Sequence, residues 1–253
     1  MTDQDFYRYQ HQWSKIYARD ITRADRERVL WLNRITGLSE VRLLELGAGG
    51  GQFAVAACLQ DHQVTAIEIE PDFVEHIQYL ARQYRCENLT ILNVDFNNVV
   101  LEGVFDVICY WDGFGIGNDT DQRRLLLNIS KWLSPDGSVF LEIFTPWYWA
   151  NVAAGVQFDI GEATRQYGFD AERCAMVDTW WLKEKPATKT TQRLRCYSPA
   201  DLTLLCEGCG LTIVEIFSGG KMDYHTGTYT PEVPLNQAMS YIARLVHTQS
   251  LKS

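Results

Sequence analysis

The strongest constraint on the fold is an apolar run that leads into closely spaced glycines. Residues 43–53 read LLELGAGGGQF, with glycines at the alternate positions Gly47, Gly49 and Gly51. Glycine adopts positive φ angles without a steric penalty and leaves room for a ligand beside the backbone. A second apolar run begins at Phe53. The pattern therefore predicts a buried strand, a tight ligand-binding turn and the N-terminus of a helix.

An acidic residue, Glu68, follows the first glycine by about twenty residues and ends the next apolar run, where ribose-binding carboxylates stand in nucleotide-binding folds. The dinucleotide fingerprint G-x-G-x-x-G/A also needs a third small residue, but Gln52 occupies that position. The sequence thus favours a nucleoside ligand and argues against a nicotinamide dinucleotide.

Strand and helix patterns alternate along the first two thirds of the chain, as is typical of a doubly wound, mostly parallel sheet. A helix is expected to open at the capping box of Thr22 and to stop at Gly37, and another has Pro71 in its first turn. The predicted strands cover residues 41–46, 64–68, 89–94, 105–110 and 138–144.

A long aromatic insert, residues 146–197, interrupts this alternation. Within it, residues 174–183 and 189–197 are expected to pair as a hairpin that forms part of a cap. The alternation resumes with a helix that starts at Ser198 and with two strands over residues 211–217 and 238–246.

The glycine spacing G-x-G-x-G, preceded by the acid Glu45, resembles motif I of the class I S-adenosylmethionine (SAM)-dependent methyltransferases. The resemblance implies an α/β fold with a doubly wound, mostly parallel seven-stranded sheet, whose last two strands form an antiparallel edge hairpin with the final strand inserted into the sheet. Four segments are expected, namely an N-terminal helical lid (1–40), a SAM-binding core (41–145), an inserted substrate cap (146–197) and a C-terminal completion of the sheet (198–253).

The same resemblance implies SAM as the cofactor and assigns residues to it. Glu68 would accept hydrogen bonds from the ribose, Ile69 would lie against the adenine, and Asp95-Phe96 would meet the adenine amine. Tyr110-Trp111-Asp112 would link the methionine end of SAM to the substrate. The predicted cofactor-binding residues are Glu45, Gly47, Gly49, Gly51, Glu68, Ile69, Asp95, Phe96, Tyr110 and Trp111. Each of these positions also has an ordinary interpretation, because carboxylates at strand ends are often capping or solvated groups.

Methyl transfer from a sulfonium needs mainly alignment and exclusion of water, and it needs a general base only when the acceptor arrives protonated. The candidate catalytic residues are Asp112, Tyr17 and His225. The candidate substrate-binding residues are Trp13, Phe114, Trp147, Tyr148, Arg195 and Tyr197.

Each candidate has a plainer alternative. Trp13 and Tyr17 belong to an aromatic stripe at helical spacing, which packs against a core at least as often as it forms a lid. Asp112 can be a solvated loop acid, His225 a surface loop histidine, and Arg195 an offset to surface charge.

Composition narrows the partners. The 32 acidic and 23 basic residues leave a net charge of −9, which disfavours nucleic acid and anionic membranes. No apolar run approaches the roughly 20 residues of a membrane span, and the N-terminus lacks a basic-then-apolar leader pattern. The seven cysteines, several inside apolar runs, are typical of a reducing compartment. We therefore expect a cytoplasmic monomer or homodimer with a small-molecule acceptor, no nucleic acid and no membrane partner.

A metal site is not predicted. Metal-dependent O-methyltransferases use an Asp/Asp/Asn set near strands four and five, and Asp112, Asn118 and Asp119 lie in that region. Asn118-Asp119, however, is more typical of a helix N-cap.

The preferred function is SAM-dependent transfer of a methyl group to an N or O nucleophile of a small molecule, and the long insert resembles the caps of amino-sugar N-methyltransferases. Protein methylation is an open alternative, as is a SAM-binding module without catalysis. DNA and RNA amino-methylation is disfavoured, because residues 110–113 read YWDG where those enzymes carry an Asn/Asp-Pro-Pro-Tyr/Phe motif.

Overall fold

A computed structural model describes residues 3–251. Seven α-helices of three or more residues alternate with thirteen strands in this part of the chain. The helices are α1 (Asp3–Ser14), α2 (Arg23–Thr36), α3 (Gln52–Cys58), α4 (Pro71–Tyr84), α5 (Asp119–Trp132), α6 (Pro146–Tyr148) and α7 (Pro199–Cys206). The strands are β1 (Arg42–Leu46), β2 (Gln63–Ile67), β3 (Leu89–Leu92), β4 (Phe105–Phe114), β5 (Leu133–Phe144), β6 (Gln157–Ile160), β7 (Ala163–Asp170), β8 (Ala175–Leu182), β9 (Lys185–Arg195), β10 (Leu211–Ser218), β11 (Lys221–Asp223), β12 (Thr228–Thr230) and β13 (Ser240–His247).

Seven strands form the central sheet in the order β10-β13-β5-β4-β1-β2-β3. Strands β1 to β5 pair in parallel, whereas β13 is antiparallel to both β5 and β10. The predicted mostly parallel seven-stranded sheet is confirmed, as is the insertion of the final strand beside β5. Apolar clusters cover both faces of the sheet, so the fold has three layers.

The turn after β1 has the conformation that its glycines predict. Gly47, Gly49 and Gly51 have φ angles of 60°, 53° and 81°. Gly51 is the N-cap of α3, and a Cβ added there would lie 2.6 Å from the Ile77 side chain of α4. The close packing of α3 against α4 thus requires glycine at this position.

The two N-terminal helices pack differently. Helix α2 has the predicted Thr22 capping box, ends at Gly37 in a left-handed conformation, and buries Val29 and Leu32 against one face of the sheet. Helix α1 instead buries Phe6 against the insert that follows β5. The segment predicted as a lid, 1–40, therefore contains helix α2, which packs on the central sheet, and helix α1, which packs on the insert.

The insert forms a second, four-stranded antiparallel sheet in the order β6-β7-β8-β9, which we call the cap sheet. The predicted hairpin is confirmed, because β8 and β9 pair from Ala175–Arg195 to Leu182–Lys185. The sequence did not predict β6 and β7. Trp180 faces inward and is fully buried, while Trp181 faces outward under Lys189, as neighbours on one strand must.

Strand β4 extends four residues beyond the predicted end at Tyr110. Tyr110 pairs with Leu141 and Phe114 with Ile143, so three residues of β4 lie opposite one residue of β5. We call residues 111–113 the β4 bulge. Bulges of this kind turn side chains away from the regular alternation of a strand.

Candidate active site

A cavity of about 280 Å³ lies between the glycine turn, α1 and the cap sheet. Segments far apart in sequence form its walls. From the N-terminal segment come Phe6, Tyr7, Gln10, Ile16, Tyr17, Arg19, Asp25 and Arg28; from the glycine turn and α3 come Glu45, Gly47, Ala48, Gly49, Gly50, Gln52 and Phe53; from the β4 bulge, β5 and the cap come Trp111, Asp112, Phe144, Arg165, Met176, Asp178, Gln192 and Leu194.

Glu45 is a buried carboxylate at the edge of this cavity. It is 3% exposed, and its Oε2 atom has no hydrogen-bond partner among the described residues. Burial raises the pKa of Glu45 well above its usual range, an effect that nearby Arg28 opposes and Glu68 reinforces. Such an oxygen is free to form a hydrogen bond with a bound molecule or with water.

Glu68 holds the glycine turn from the end of β2. Its carboxylate accepts hydrogen bonds from the backbone N–H of Gly49 at 2.7 Å and of Glu70 at 2.9 Å. Burial raises the pKa of Glu68 to about 7 despite these hydrogen bonds. The side chain is thus fixed beside the glycine turn, and its contact with a ribose stays a prediction.

A second cavity, of about 260 Å³, contains the predicted adenine-binding residues Asp95 and Phe96 together with Tyr110. The Asp95 carboxylate accepts hydrogen bonds from Asn97 and Asn98. Ile69 is 40% exposed at the end of β2.

The Tyr110 ring lies beside both glycine segments of the site. A Cβ at Gly47 would be 3.3 Å from this ring, and a Cβ at Gly113 would be 2.5 Å from it. Phe96 packs edge-on against Tyr110, with 5.4 Å between the ring centroids. Because neither glycine has a side chain, there is room for the Tyr110 ring in the wall of the second cavity.

The β4 bulge places Trp111 and Asp112 on the wall of the first cavity. Trp111 packs edge-on against Phe53, and the Arg28 guanidinium lies 4.8 Å from the centre of the Trp111 ring. Asp112 has a φ of 58°, a left-handed conformation that Asp and Asn tolerate better than most residues.

The Asp112 carboxyl group is exposed to the cavity yet surrounded by protein. Burial, followed by the charge of Glu142, raises the pKa of Asp112 to about 7, and Arg165 and Arg28 oppose the rise. A carboxyl group with this pKa accepts and releases a proton near neutral pH, as general-base catalysis requires.

Tyr17 covers the glycine turn. A Cβ at Gly49 would lie 3.5 Å from the Tyr17 ring, and the Tyr17 hydroxyl donates to Gln10 Oε1 at 2.7 Å. Gln52 Nε2 donates to the carbonyl oxygens of Tyr17 and Arg19 at 2.9 and 2.8 Å. Burial raises the pKa of Tyr17 well above its usual range, so the phenol is neutral near pH 7.

The inward face of the cap sheet contributes a fixed ion pair. Arg165 of β7 donates from Nε and Nη2 to both carboxylate oxygens of Asp178 on β8, at 3.0 and 2.7 Å. The Arg165 guanidinium also lies 4.5 Å from the Tyr167 ring centre and 5.0 Å from that of Trp180. Bidentate pairing between aromatic rings fixes this group in one orientation.

Gln192 lies directly opposite Asp178 in the β8–β9 pairing. Its side chain is 4% exposed and lines the cavity, and its Nε2 has no hydrogen-bond partner among the described residues. The amide N–H group is therefore available to a bound molecule.

Several predicted site residues lie outside the cavity wall. The Trp13 ring stacks on Tyr9, Phe114 is fully buried in the core, and Trp147 donates to the Leu235 carbonyl oxygen at 2.9 Å. Others fix the cap: the Tyr148 hydroxyl donates to the Met222 carbonyl oxygen, the Tyr197 hydroxyl donates to Asp119, and the Arg195 N–H donates to the Gly115 carbonyl oxygen. His225 is exposed in the turn between β11 and β12.

Sequence reasoning missed Arg165, Asp178 and Gln192. All three belong to strands whose inward positions alternate with outward ones, as in Met176, Asp178 and Trp180. The available signal was the alternation of inward and outward side chains along residues 175–182. Polar residues such as Asp178 at inward positions made this alternation hard to recognise as a buried face.

Asn118 acts as the predicted N-cap, since its side chain accepts hydrogen bonds from the backbone N–H groups of Thr120 and Asp121. Within residues 3–251, no three potential His, Cys, Asp or Glu ligands converge on one point. None of the helices in this range is long and apolar enough to span a membrane.

The strand order, the glycine turn, the acid Glu45 within β1 and the acid Glu68 after β2 define a class I methyltransferase fold. The family model of a methyltransferase domain matches residues 7–216. The chain therefore belongs to this family and is a SAM-dependent methyltransferase, with SAM as its cofactor.

Solved structures share the whole fold at low sequence identity. The CcbJ methyltransferase from Streptomyces caelestis is 16% identical, with 90% of each chain covered and a TM-score of 0.72. A SAM-dependent methyltransferase from Clostridium acetobutylicum is 14% identical over 96% of this chain and 98% of its own, also with a TM-score of 0.72. The sugar N-methyltransferase KedS8 from Streptoalloteichus is 12% identical over 87% and 86%, with a TM-score of 0.61. The comparison with curated proteins found no match.

Proposed function

We propose that this enzyme methylates an N or O nucleophile of a small molecule held beneath the cap sheet. The observation that carries the proposal is the cavity itself, which joins the glycine turn to the inward face of the cap. Its volume of about 280 Å³ lies near the lower end of small-molecule sites, which hold about 300–1,000 Å³. The net charge of −9 agrees with an acceptor other than nucleic acid.

The residues present fit SAM. The glycine turn lets a ligand approach the backbone closely because Gly47, Gly49 and Gly51 carry no side chains, and the unpaired Oε2 of Glu45 suits the ammonium group of the methionine moiety. Glu68 would accept hydrogen bonds from the ribose, and Ile69, Asp95 and Phe96 would border the adenine. Bound SAM supplies a methyl group that is already activated by the positive charge on sulfur.

The protein then contributes alignment and exclusion of water. Tyr17 and α1 close the cavity from one side, and the cap sheet closes it from another. Gln192 offers an amide donor to an oxygen of the acceptor, and Asp112 offers a carboxylate to its nucleophile.

KedS8 is a sugar N-methyltransferase with the same fold, which supports a small polar acceptor for this enzyme. The seven free cysteines support a reducing compartment, which we propose is the cytoplasm, with the enzyme acting as a monomer or homodimer. Protein methylation is the second candidate. It would require an acceptor side chain to reach Asp112 past α1 and the cap.

Calorimetric titration with SAM and S-adenosylhomocysteine tests the cofactor site, with NADH as the control. We expect both sulfur nucleosides to bind in the micromolar range, as is common for enzyme substrates, and NADH not to bind. Binding of NADH without binding of either sulfur nucleoside would contradict the proposal.

Glu68→Ala should weaken SAM binding by roughly 1–3 kcal/mol, because it removes charged hydrogen bonds to the ribose and to the glycine turn. The measurement is the same titration. Glu27→Ala, on the solvent-exposed face of α2, is the matched control and should leave the affinity unchanged. Equal affinities in all three proteins would show that Glu68 does not hold the ribose.

A further inference from the structure

The charged groups around the first cavity do not balance. Four carboxylates and three guanidinium groups line it, and they belong to Asp25, Glu45, Asp112 and Asp178 and to Arg19, Arg28 and Arg165. No lysine or histidine is among the described residues of this wall.

Each of the three guanidinium groups already has a carboxylate partner. Arg19 is paired with Asp25 at 2.6 Å and Arg165 with Asp178 at 2.7 Å. Arg28 is paired with Glu142, which stands behind the wall, at 3.3 Å. Glu45 and Asp112 are therefore the cavity carboxylates without a cationic partner in the described part of the chain.

The two unpaired carboxylates lie on different elements, Glu45 in β1 and Asp112 in the β4 bulge, and Arg28 acts on both. The charges that act on Glu45 are those of Arg28, Glu68 and Asp25, on the cofactor side. The charges that act on Asp112 come from Glu142 of β5, Arg28 of α2, and Arg165 and Asp178 of the cap sheet. Tyr17 is the titratable group that faces Asp112 from the N-terminal segment.

Six of the residues that line the cavity are aromatic, namely Phe6, Tyr7, Tyr17, Phe53, Trp111 and Phe144. A carboxylate among aromatic rings attracts a cation both by charge and by cation–π interaction. The same surroundings repel an anionic acceptor and give a neutral hydroxyl only a single hydrogen bond.

We propose that the acceptor is a small molecule bound as its protonated amine, and that Asp112 holds this ammonium group and removes its proton. The inference rests on the proposed function and identifies nitrogen as the methylated atom. With SAM, which carries one net positive charge, the two bound molecules bring two positive charges to the two unpaired carboxylates.

The proton and the electron pairs balance in this reaction. One N–H proton of the ammonium group passes to a carboxylate oxygen of Asp112, which frees the nitrogen lone pair. That lone pair forms the new N–C bond as the S–C bond breaks, and the S–C electron pair remains on sulfur. The methylated product leaves as an ammonium ion, and Asp112 releases its proton to water.

Ligand binding tests the proposal without turnover. The protein is saturated with S-adenosylhomocysteine and titrated with matched pairs of probes, benzylamine against benzyl alcohol and cyclohexylamine against cyclohexanol. We expect each amine that fits to bind at least about tenfold more tightly than its alcohol, as for a charge-assisted hydrogen bond. Amine binding should strengthen as the pH rises through about 7, because Asp112 then loses its proton.

Asp112→Asn should abolish the preference for amines, since asparagine keeps the shape and tolerates the left-handed backbone but carries no charge. Asp136→Asn, at an exposed turn of β5, is the matched control and should retain the preference. Equal binding of amines and alcohols by the wild-type protein would overturn the inference, and so would failure of every amine to bind. Failure to bind S-adenosylhomocysteine would instead overturn the proposed function, so the two failures are distinguishable.

Discussion

Asp112 has a left-handed backbone, a place on the cavity wall and a pKa raised by burial. A sequence shows that an acid follows the fourth strand, but it does not show which way that acid points. The direction comes from the β4 bulge, which depends on pairing with β5 nearly thirty residues later in the chain. The sequence therefore identifies Asp112 as a candidate, but it does not show the surroundings of its side chain.

At the same scale, the raised pKa of Asp112 has a consequence for stability. The native carboxyl group holds its proton up to about pH 7, whereas the ordinary value is 3.8, so the native state binds more protons over this window. The free energy of unfolding contributed by this group therefore falls as the pH rises from about 4 to about 7 and stays low above it.

Asp112→Asn removes this pH-dependent loss of stability, because asparagine does not titrate. We expect the variant to gain stability relative to the wild type between pH 5 and pH 8, measured by urea unfolding at several pH values. Glu68 also has a pKa of about 7, but it is present in both proteins and its effect cancels in the difference. A stability difference that does not change with pH would show that Asp112 titrates normally.

At the scale of elements, the glycine turn could be predicted from the sequence better than the segment that covers it, residues 15–20. The strand, the turn and the helix start follow from one contiguous stretch of sequence, and the structure places them as expected. The covering segment was predicted only in part, through Tyr17. Tyr17 covers the turn because Gln52, the residue that breaks the dinucleotide fingerprint, binds two carbonyl oxygens of the segment after α1.

Gln52→Ala should loosen this covering segment, since it removes both hydrogen bonds from a nearly buried amide. We expect faster amide hydrogen exchange over residues 15–20 and faster dissociation of SAM, measured by exchange mass spectrometry and stopped flow. Gln12→Ala, which changes an exposed glutamine of α1, should alter neither quantity. Unchanged exchange in Gln52→Ala would mean that the packing of Tyr17 on Phe73 and its hydrogen bond to Gln10 are enough to hold residues 15–20 in place.

At the scale of the whole molecule, the cofactor half and the acceptor half of the site differ in origin. The cofactor half follows from short motifs at the ends of β1, β2 and β3, and for that reason the sequence identified the fold and the cofactor. The proposed acceptor half comes from side chains on α1, the β4 bulge and the cap sheet, which meet only after non-local pairing. Two of the predicted acceptor residues lie outside the wall of the first cavity, where the Tyr148 hydroxyl donates to the Met222 carbonyl oxygen and the Tyr197 hydroxyl donates to Asp119.

This separation predicts that cap variants change acceptor binding alone. Gln192→Ala should raise the KM for the acceptor several-fold by removing one hydrogen-bond donor and should leave the Kd for SAM unchanged. The neighbouring Thr191→Ala is a matched control, because Thr191 lies on the outward face and pairs with Thr179. Weaker SAM binding in Gln192→Ala would show that the two halves are coupled.

The cap sheet is one continuous insertion between β5 and α7 of a fold shared with other methyltransferases. Duplication and divergence can therefore retailor the inward positions of β7, β8 and β9 while the donor-binding turn stays as it is. Under the proposed function, exchanging inward residues of β7, β8 and β9 is expected to change the acceptor while the methyl donor and the central sheet stay the same.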